Sequence, residues 1–292
     1  MTRPLLGLAA AGLAAALAGS QPAGGPAAVA PAATLAAAPA APGRALTATA
    51  RLPSQEQGYP FTEWDGRFVF VRIYFDANDA GGDPGFFRGR RGFSRGCGGE
   101  PCWHHDYPYA ETNLTALLGE ITDLRAVVGG NVIRASDPAL HRFPLAWLAE
   151  PGHWAPDEKE VANLRSYLRK GGFLIFDDFG GEDTNHLLAI MQRIVPELRP
   201  IRLDGSEPIF HSFFDIEPEN LLLHSYRAMR QDESYWGYFE DNDPGKRQLA
   251  ILDADNDIGE FIEYNETGFS VVDMTNEAYK LAVNYIVYAL TH

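Results

Sequence analysis

Hydrophobic and polar positions along the chain fall into segments with alternating periods. Arg67-Phe-Val-Phe-Val-Arg-Ile-Tyr74 is dense in β-branched and aromatic residues and ends in Asp76-Ala-Asn-Asp-Ala-Gly-Gly, the pattern of a strand feeding a loop. A long Gly- and Arg-rich stretch then runs from Asp79 to about Trp103. Between Ala110 and Thr122, Leu114, Leu117, Leu118 and Ile121 recur at helical spacing and predict one buried face. Leu124–Val128 and Asn131–Ala135 read as short strands around Gly129-Gly130, and Leu145–Leu148 as a buried strand between Pro144 and Pro151-Gly152. Pro156-Asp157-Glu158 opens a helix with Val161, Leu164, Tyr167 and Leu168 on one face, and Lys170-Gly171-Gly172 closes it. Phe173–Phe176 is a continuous apolar run ending in Asp177-Asp178, as expected of a parallel strand covered on both faces.

Farther on, Thr184–Val195 predicts another amphipathic helix, and Arg247–Leu252 another buried strand. Ile209–Phe214 and the aromatic run Tyr235-Trp-Gly-Tyr-Phe239 show no clear period. Asn276–Leu290 closes the chain as a helix presenting Tyr279, Ala282, Val283, Ile286 and Leu290 to a core. Strand and helix in alternation predict an α/β fold with a doubly wound, mostly parallel sheet and helices on both faces. No internal repeat is visible.

Composition changes the picture first at the N-terminus. Met-Thr-Arg-Pro followed by Leu, Ala and Gly from Leu5 to Ala18 has the n-region and h-region of a signal peptide, with Ala16-Leu17-Ala18 as the small-x-small cleavage pattern. The run falls short of the ~20 apolar residues of a transmembrane helix. No later stretch is apolar enough to cross a membrane, so residues 1–20 are expected to be removed and the protein to act in the periplasm or outside the cell. Residues 21–57 are Ala-, Pro- and Gly-rich, with almost nothing to bury, and read as a disordered linker. Residues 58–292 are then expected to form a single domain.

The formal net charge is −15, and only Arg3, Arg44, Arg51 and Glu56 fall before residue 58, so the acidity belongs to the domain. Such a body is poorly suited to the phosphate backbone of nucleic acids. The two cysteines, Cys97 and Cys102, enclose Gly-Gly-Glu-Pro, and in an exported protein a local disulfide is the expected use. The competing use is a metal site with His104, His105 and Asp106, since Cys-x4-Cys-x-His-His is dense in ligand types but lacks a second spaced pair.

Three blocks carry a family resemblance: Trp103-His-His-Asp-Tyr-Pro108 with Ala110-Glu111, then Leu164-Arg-Ser-Tyr-Leu-Arg-Lys-Gly-Gly-Phe-Leu-Ile-Phe-Asp-Asp178, then Ala278-Tyr-Lys-Leu-Ala-Val-Asn-Tyr-Ile-Val-Tyr288. In order and character they resemble the bacterial domain of unknown function 4159 family across nearly all of the expected domain. The resemblance implies a flavodoxin-like fold related to class I glutamine amidotransferases. It implies no activity. Catalytic members of that fold carry a Cys at the turn after a central strand, whereas this chain runs from Phe176 into Asp177-Asp178-Phe179-Gly180 with both cysteines elsewhere. Amidotransferase chemistry is not expected.

Ligands of open parallel sheets bind outside the carboxyl ends of the strands, which makes Asp177 and Asp178 candidates. Adjacent carboxylates on an extended chain point apart, so one is expected to face a cleft while the other caps a helix or bonds loop amides. His104, His105, Asp106 and Tyr107 can fold over the same edge, where His with Asp suits a divalent metal or acid–base work. The bland alternative is that Trp103 and Pro108 pack and Asp106 caps the next helix. Asp253-Ala-Asp-Asn-Asp257 resembles the opening of a calcium loop, but Ile258 stands where Gly is needed and Tyr264 where a bidentate Glu is needed. A polar loop presenting Asp255, Asn256 and Glu260 to the cleft is the better reading. His153, His211 and His224 are isolated.

The leading expectation is a non-catalytic binding or interaction module on an amidotransferase-like scaffold, recognising a small molecule or a cell-envelope protein. A metal-assisted hydrolase using His104, His105, Asp106 and Asp177 is one alternative. A structural part of an envelope complex, with Tyr235, Trp236, Tyr238 and Phe239 as contact surface, is the other. No cofactor is demanded, and a divalent metal is the candidate.

Overall fold

In the computed structural model, residues 58–76, 101–221, 234–265, 267–268 and 272–292 are described. Seven strands form one sheet: β1 (Phe70–Tyr74), β2 (Gly130–Arg134), β3 (Leu145–Ala149), β4 (Phe173–Phe179), β5 (Ile201–Arg202), β6 (Ser234–Phe239) and β7 (Gln248–Ala254). Their order is β2-β1-β3-β4-β7-β6-β5. The five from β2 to β7 in that order run parallel, and β6 and β5 extend the sheet antiparallel. The chain leaves β1 for β2 on one side and resumes at β3 on the other, so the strand order reverses beside β1, where such sheets open a crevice.

Both faces of the sheet are apolar, and β4 shows why its sequence has no alternation. Leu174 and Phe176 pack with Leu164, Leu168, Leu187 and Met191 on one face, while Phe173 and Ile175 pack with Leu281, Tyr285 and Ile286 on the other. The first layer is supplied by α2 (Glu158–Arg169) and α3 (Glu182–Ile194), the second by α1 (Tyr109–Ile121), α4 (Ile258–Glu263) and α5 (Val272–Thr291). Helix α2 begins where its acidic start suggests: the Asp157 side chain accepts from the Lys159 and Glu160 amides, and the Glu160 carboxylate accepts from the Asp157 amide. It ends at Gly171, whose φ of +106° is open to glycine at little cost.

Three expectations change. Leu124–Val128 is not a strand; it makes two backbone bonds to Phe68, just ahead of β1, and ladder pairing with β1 begins only at Gly130. The aromatic run at Tyr235–Phe239, which showed no clear period, is a strand of the sheet with Tyr235, Tyr238 and Phe239 buried and Trp236 partly exposed. The polar stretch after β7 turns at once into α4. Residues 1–57, which carry the expected leader and linker, lie outside the described residues, as do Cys97 and His224.

Candidate functional site

Four strands deliver acidic side chains to the carboxyl edge of the sheet. Glu150 follows β3, Asp177 and Asp178 end β4, Asp257 and Glu260 follow β7, and His105 and Asp106 arrive after the connection from β1. Backbone geometry marks the same edge. Asp106, Glu150, Asp178 and Asp255 all have positive φ, between 52° and 65°, a region where a non-glycine residue needs support from its surroundings.

The two adjacent carboxylates of β4 are separated by a register shift between Phe176 and Phe179, with Asp178 at φ 56°. Asp177 is fully buried, and its oxygens accept from the backbone amides of Ile258 at 3.0 Å and Gly259 at 2.8 Å. It anchors the start of α4, not the helix that follows it in sequence. Burial pushes the Asp177 carboxyl up to about 7; the two amide bonds oppose that rise and Asp178 adds to it. Asp178 turns the other way and meets His105, with Oδ2 2.6 Å from Nδ1.

His105 is the centre of the cluster. Besides Asp178, its Nδ1 lies 3.8 Å from Asp106 Oδ1, and its Nε2 lies 3.8 Å from Glu260 Oε2. The hydrogen bond to Asp178 raises the imidazole to about 10 against the opposing effect of burial, with Asp106 contributing. Its backbone is held as well, because Arg72 Nη1 on β1 donates to the His105 carbonyl at 3.2 Å. Arg72 is itself buried and donates through Nε to Glu111 of α1 at 2.5 Å.

Asp106 is buried to 3% exposure, and neither carboxylate oxygen has a hydrogen-bond partner. Burial pushes its carboxyl well up; His105 opposes this and Asp178 adds to it. The carboxylate fits only because residue 259 is glycine: a Cβ there would lie 2.2 Å from Asp106 Oδ2. Asp106 does not cap α1, which starts after Pro108 with no side-chain cap. Asp257 caps α4 through the Glu260 amide at 3.0 Å. Although partly exposed, it is ringed by protein, and burial followed by Asp178, Asp106 and Asp177 raises its carboxyl.

Ligand-type atoms converge within 4.8 Å of one another in two triads, His105–Asp178–Asp257 and His105–Asp106–Glu260. Imidazole nitrogen with carboxylate oxygens is a donor set for a first-row divalent cation such as Mn²⁺ or Zn²⁺. Of the residues expected from sequence, Asp106, Asp178, Glu260 and His105 therefore meet. The others do different work. His104 and Tyr107 pack edge-on with centroids 5.2 Å apart, beside Trp103. Asn256 is buried, accepts from the Asp257 amide and reaches the Tyr235 hydroxyl at 3.4 Å. The Asp255 carboxylate fills the space left by Gly180, where a Cβ would be 2.2 Å from Oδ1. Cys102 is buried and is not a free thiol; its expected partner Cys97 lies outside the described residues.

Reasoning from sequence missed Asp257, Gly259 and Arg72. Asp257-x-x-Glu260 is a helix-start signature that was available. Nothing in the sequence announced the other two. A separate concavity lies between α1 and α5, lined by Asn113, Leu117, Phe214, Tyr279 and Lys280 among others, and among the described residues no triad of His, Cys, Asp and Glu ligand atoms converges in it.

These features define the class: a doubly wound α/β domain with a histidine–carboxylate cluster at the carboxyl ends of its parallel strands. The chain belongs to the family described as Domain of unknown function (DUF4159), whose model matches residues 95–290 and so takes in every member of both triads. No curated protein matches the chain.

Proposed function

We propose that the domain is an exported binding module whose ligand site is centred on a divalent cation held by His105, Asp106, Asp178, Asp257 and Glu260. The observation that carries this reading is Asp106, a buried carboxylate without a hydrogen-bond partner. An ionised carboxylate in that position costs several kcal/mol unless a cation or a proton compensates it. Five further carboxylates, of Glu150, Asp177, Asp178, Asp257 and Glu260, crowd the same edge, and the nearby guanidinium of Arg72 is engaged by Glu111. His105, with its side chain 38% exposed, and Glu260, 14% exposed, leave the cluster open to a ligand.

The scaffold in this reading is the amidotransferase-like one, with Asp178 at the turn after the central strand and no cysteine there. Export to the periplasm or beyond the cell belongs to the same proposal and rests on residues 1–57. No helix among the described residues is long and apolar enough to cross a membrane. The test is elemental analysis of protein purified without chelator or metal-affinity resin. At least one divalent cation per chain is expected, and its loss in Asp106→Asn. Metal-free protein whose melting temperature ignores Mg²⁺, Ca²⁺, Mn²⁺ and Zn²⁺ would overturn the reading.

A metal-assisted hydrolase draws on one specific contact, the 2.6 Å approach of His105 to Asp178. Held by that carboxylate and raised to about 10, His105 has the arrangement of a general acid, and the cation would supply Lewis acidity. Turnover on a panel of phosphate esters, carboxylic esters and amides, abolished by His105→Gln with cation content retained, would favour it. Cation-dependent ligand binding without turnover would favour the module.

A further inference from the structure

We propose that Arg72 is a positioning residue of the cation site, setting His105 and Asp106 together by holding the one peptide group that joins them. This rests on the cation reading above. Arg72 lies in the middle of β1, in register with Val132 of β2 on one side and Trp147 of β3 on the other, and is 1% exposed. Its guanidinium is used twice. Nε donates to Glu111 of α1 at 2.5 Å, and Nη1 donates to the His105 carbonyl at 3.2 Å. The first contact fixes the plane of the guanidinium, and the second carries that fixed plane to the turn that leads into α1.

The His105 carbonyl and the Asp106 amide share one rigid peptide plane. The torsions on either side of it are ψ 135° at His105 and φ 65° at Asp106, and together they set how the imidazole is turned relative to the carboxylate. A non-glycine residue is strained at such a φ, so this plane needs restraint from its surroundings. Arg72 supplies it on the near side. On the far side the Ala110 amide of α1 donates to the Asp106 carbonyl at 2.9 Å. The side chain of Asp106 contributes no restraint of its own, because both its oxygens are buried without a hydrogen-bond partner. Its direction is inherited from the backbone, and the backbone is held by Arg72.

Arginine suits this task where lysine does not. A planar fork offers donors in fixed directions to a carboxylate and a carbonyl at once, whereas an ammonium is a compact point charge on a flexible stem.

The experiment compares melting temperature, Mn²⁺ affinity and the Mn²⁺ spectrum in chelated and refilled samples of the native chain, Arg72→Lys, and Arg72→Met with Glu111→Leu. The double variant removes both buried charges, which restores stability, but it releases the His105–Asp106 peptide. Calorimetry should show Mn²⁺ binding weakened about 10–100-fold in both variants, the size expected when a supporting contact behind a metal ligand is lost. Pulsed electron paramagnetic resonance should show the imidazole-nitrogen coupling of the native complex diminished in both. A merely structural Arg72 predicts that affinity and nitrogen coupling return with the melting temperature in the double variant, and that result overturns the proposal. Should the double variant not fold, Arg72→Lys, which keeps the buried charge, decides: native affinity and native nitrogen coupling in it overturn the proposal as well. A native chain that binds no Mn²⁺ overturns the cation reading and this inference together, whereas tight binding unaffected by either variant removes only the inference.

Discussion

Gly259→Ala isolates the contribution of one carboxylate without touching it. A Cβ at residue 259 would lie 2.2 Å from Asp106 Oδ2, 2.8 Å from Cγ and 3.2 Å from Cβ, and meets nothing else as closely. Restoring ordinary contact requires the carboxylate to retreat by about 1 Å. Metal ligands tolerate only ~0.2 Å of departure from their preferred distances, so the displaced carboxylate leaves the coordination sphere or binds in a strained geometry. Misplacing a supporting group near a metal typically costs about 10–100-fold in affinity. The fold has reason to survive. Residue 259 is in α4, its amide still donates to Asp177, and alanine favours a helix over glycine by roughly 0.5–1 kcal/mol. Calorimetric titration with Mn²⁺ at pH 7 should therefore show weakening of that size in a protein whose chelated form melts within a few degrees of the native one. Undiminished affinity in a folded Gly259→Ala protein would refute the placement of Asp106 as a ligand.

Arg72→Met should destabilise the chelated protein by about 3–5 kcal/mol in urea, because it leaves Glu111 buried without its cation, while Arg72→Met with Glu111→Leu should recover much of the loss. If the double variant is no more stable than the single one, the pair matters for reasons other than uncompensated charge. Asp177→Asn should cost about 1–3 kcal/mol by weakening the anchor of α4, yet leave cation stoichiometry unchanged; a lost ion would make Asp177 a ligand. Folded-state carboxyl and imidazole values are both raised here, Asp177 from 3.8 to about 7 and His105 from 6.5 to about 10. Stability from each is full below the unfolded value and lost as pH rises through the folded one, so the melting temperature in chelator should fall from pH 4 toward pH 10. A rise over that interval would contradict the assignment.

Much of the scaffold was legible because its elements follow local rules. The capping residues around Asp157, the Lys170-Gly171 stop and the unbroken apolar run of β4 each fix an element without knowledge of the rest. Leu124–Val128 failed as a strand because pairing is decided between segments: its backbone meets only Phe68, ahead of β1, and the ladder proper belongs to residues 130–134. The site divides in the same way. Asp178, Asp106 and Glu260 could be named because acidic residues at strand ends are conspicuous. Which of Asp177 and Asp178 faces the cleft depends on a bulge, and a bulge is not written in residue type. Asp257 was obscured by the calcium-loop comparison, which drew attention to spacing and away from helix capping. Gly259 and Arg72 act across the sheet, and only the assembled tertiary structure reveals them.

The cluster is assembled from segments far apart in the chain: 73 residues separate His105 from Asp178, and another long interval separates Asp178 from Asp257. Any ion bound there ties β1, β4 and β7 together and closes loops that an unfolded chain closes only at an entropic cost. Its donors do not exist as a set until those three strands are in register. Cation occupancy would then report the completion of folding, and a protease or denaturant would encounter a chain whose resistance is set by the free cation concentration around it.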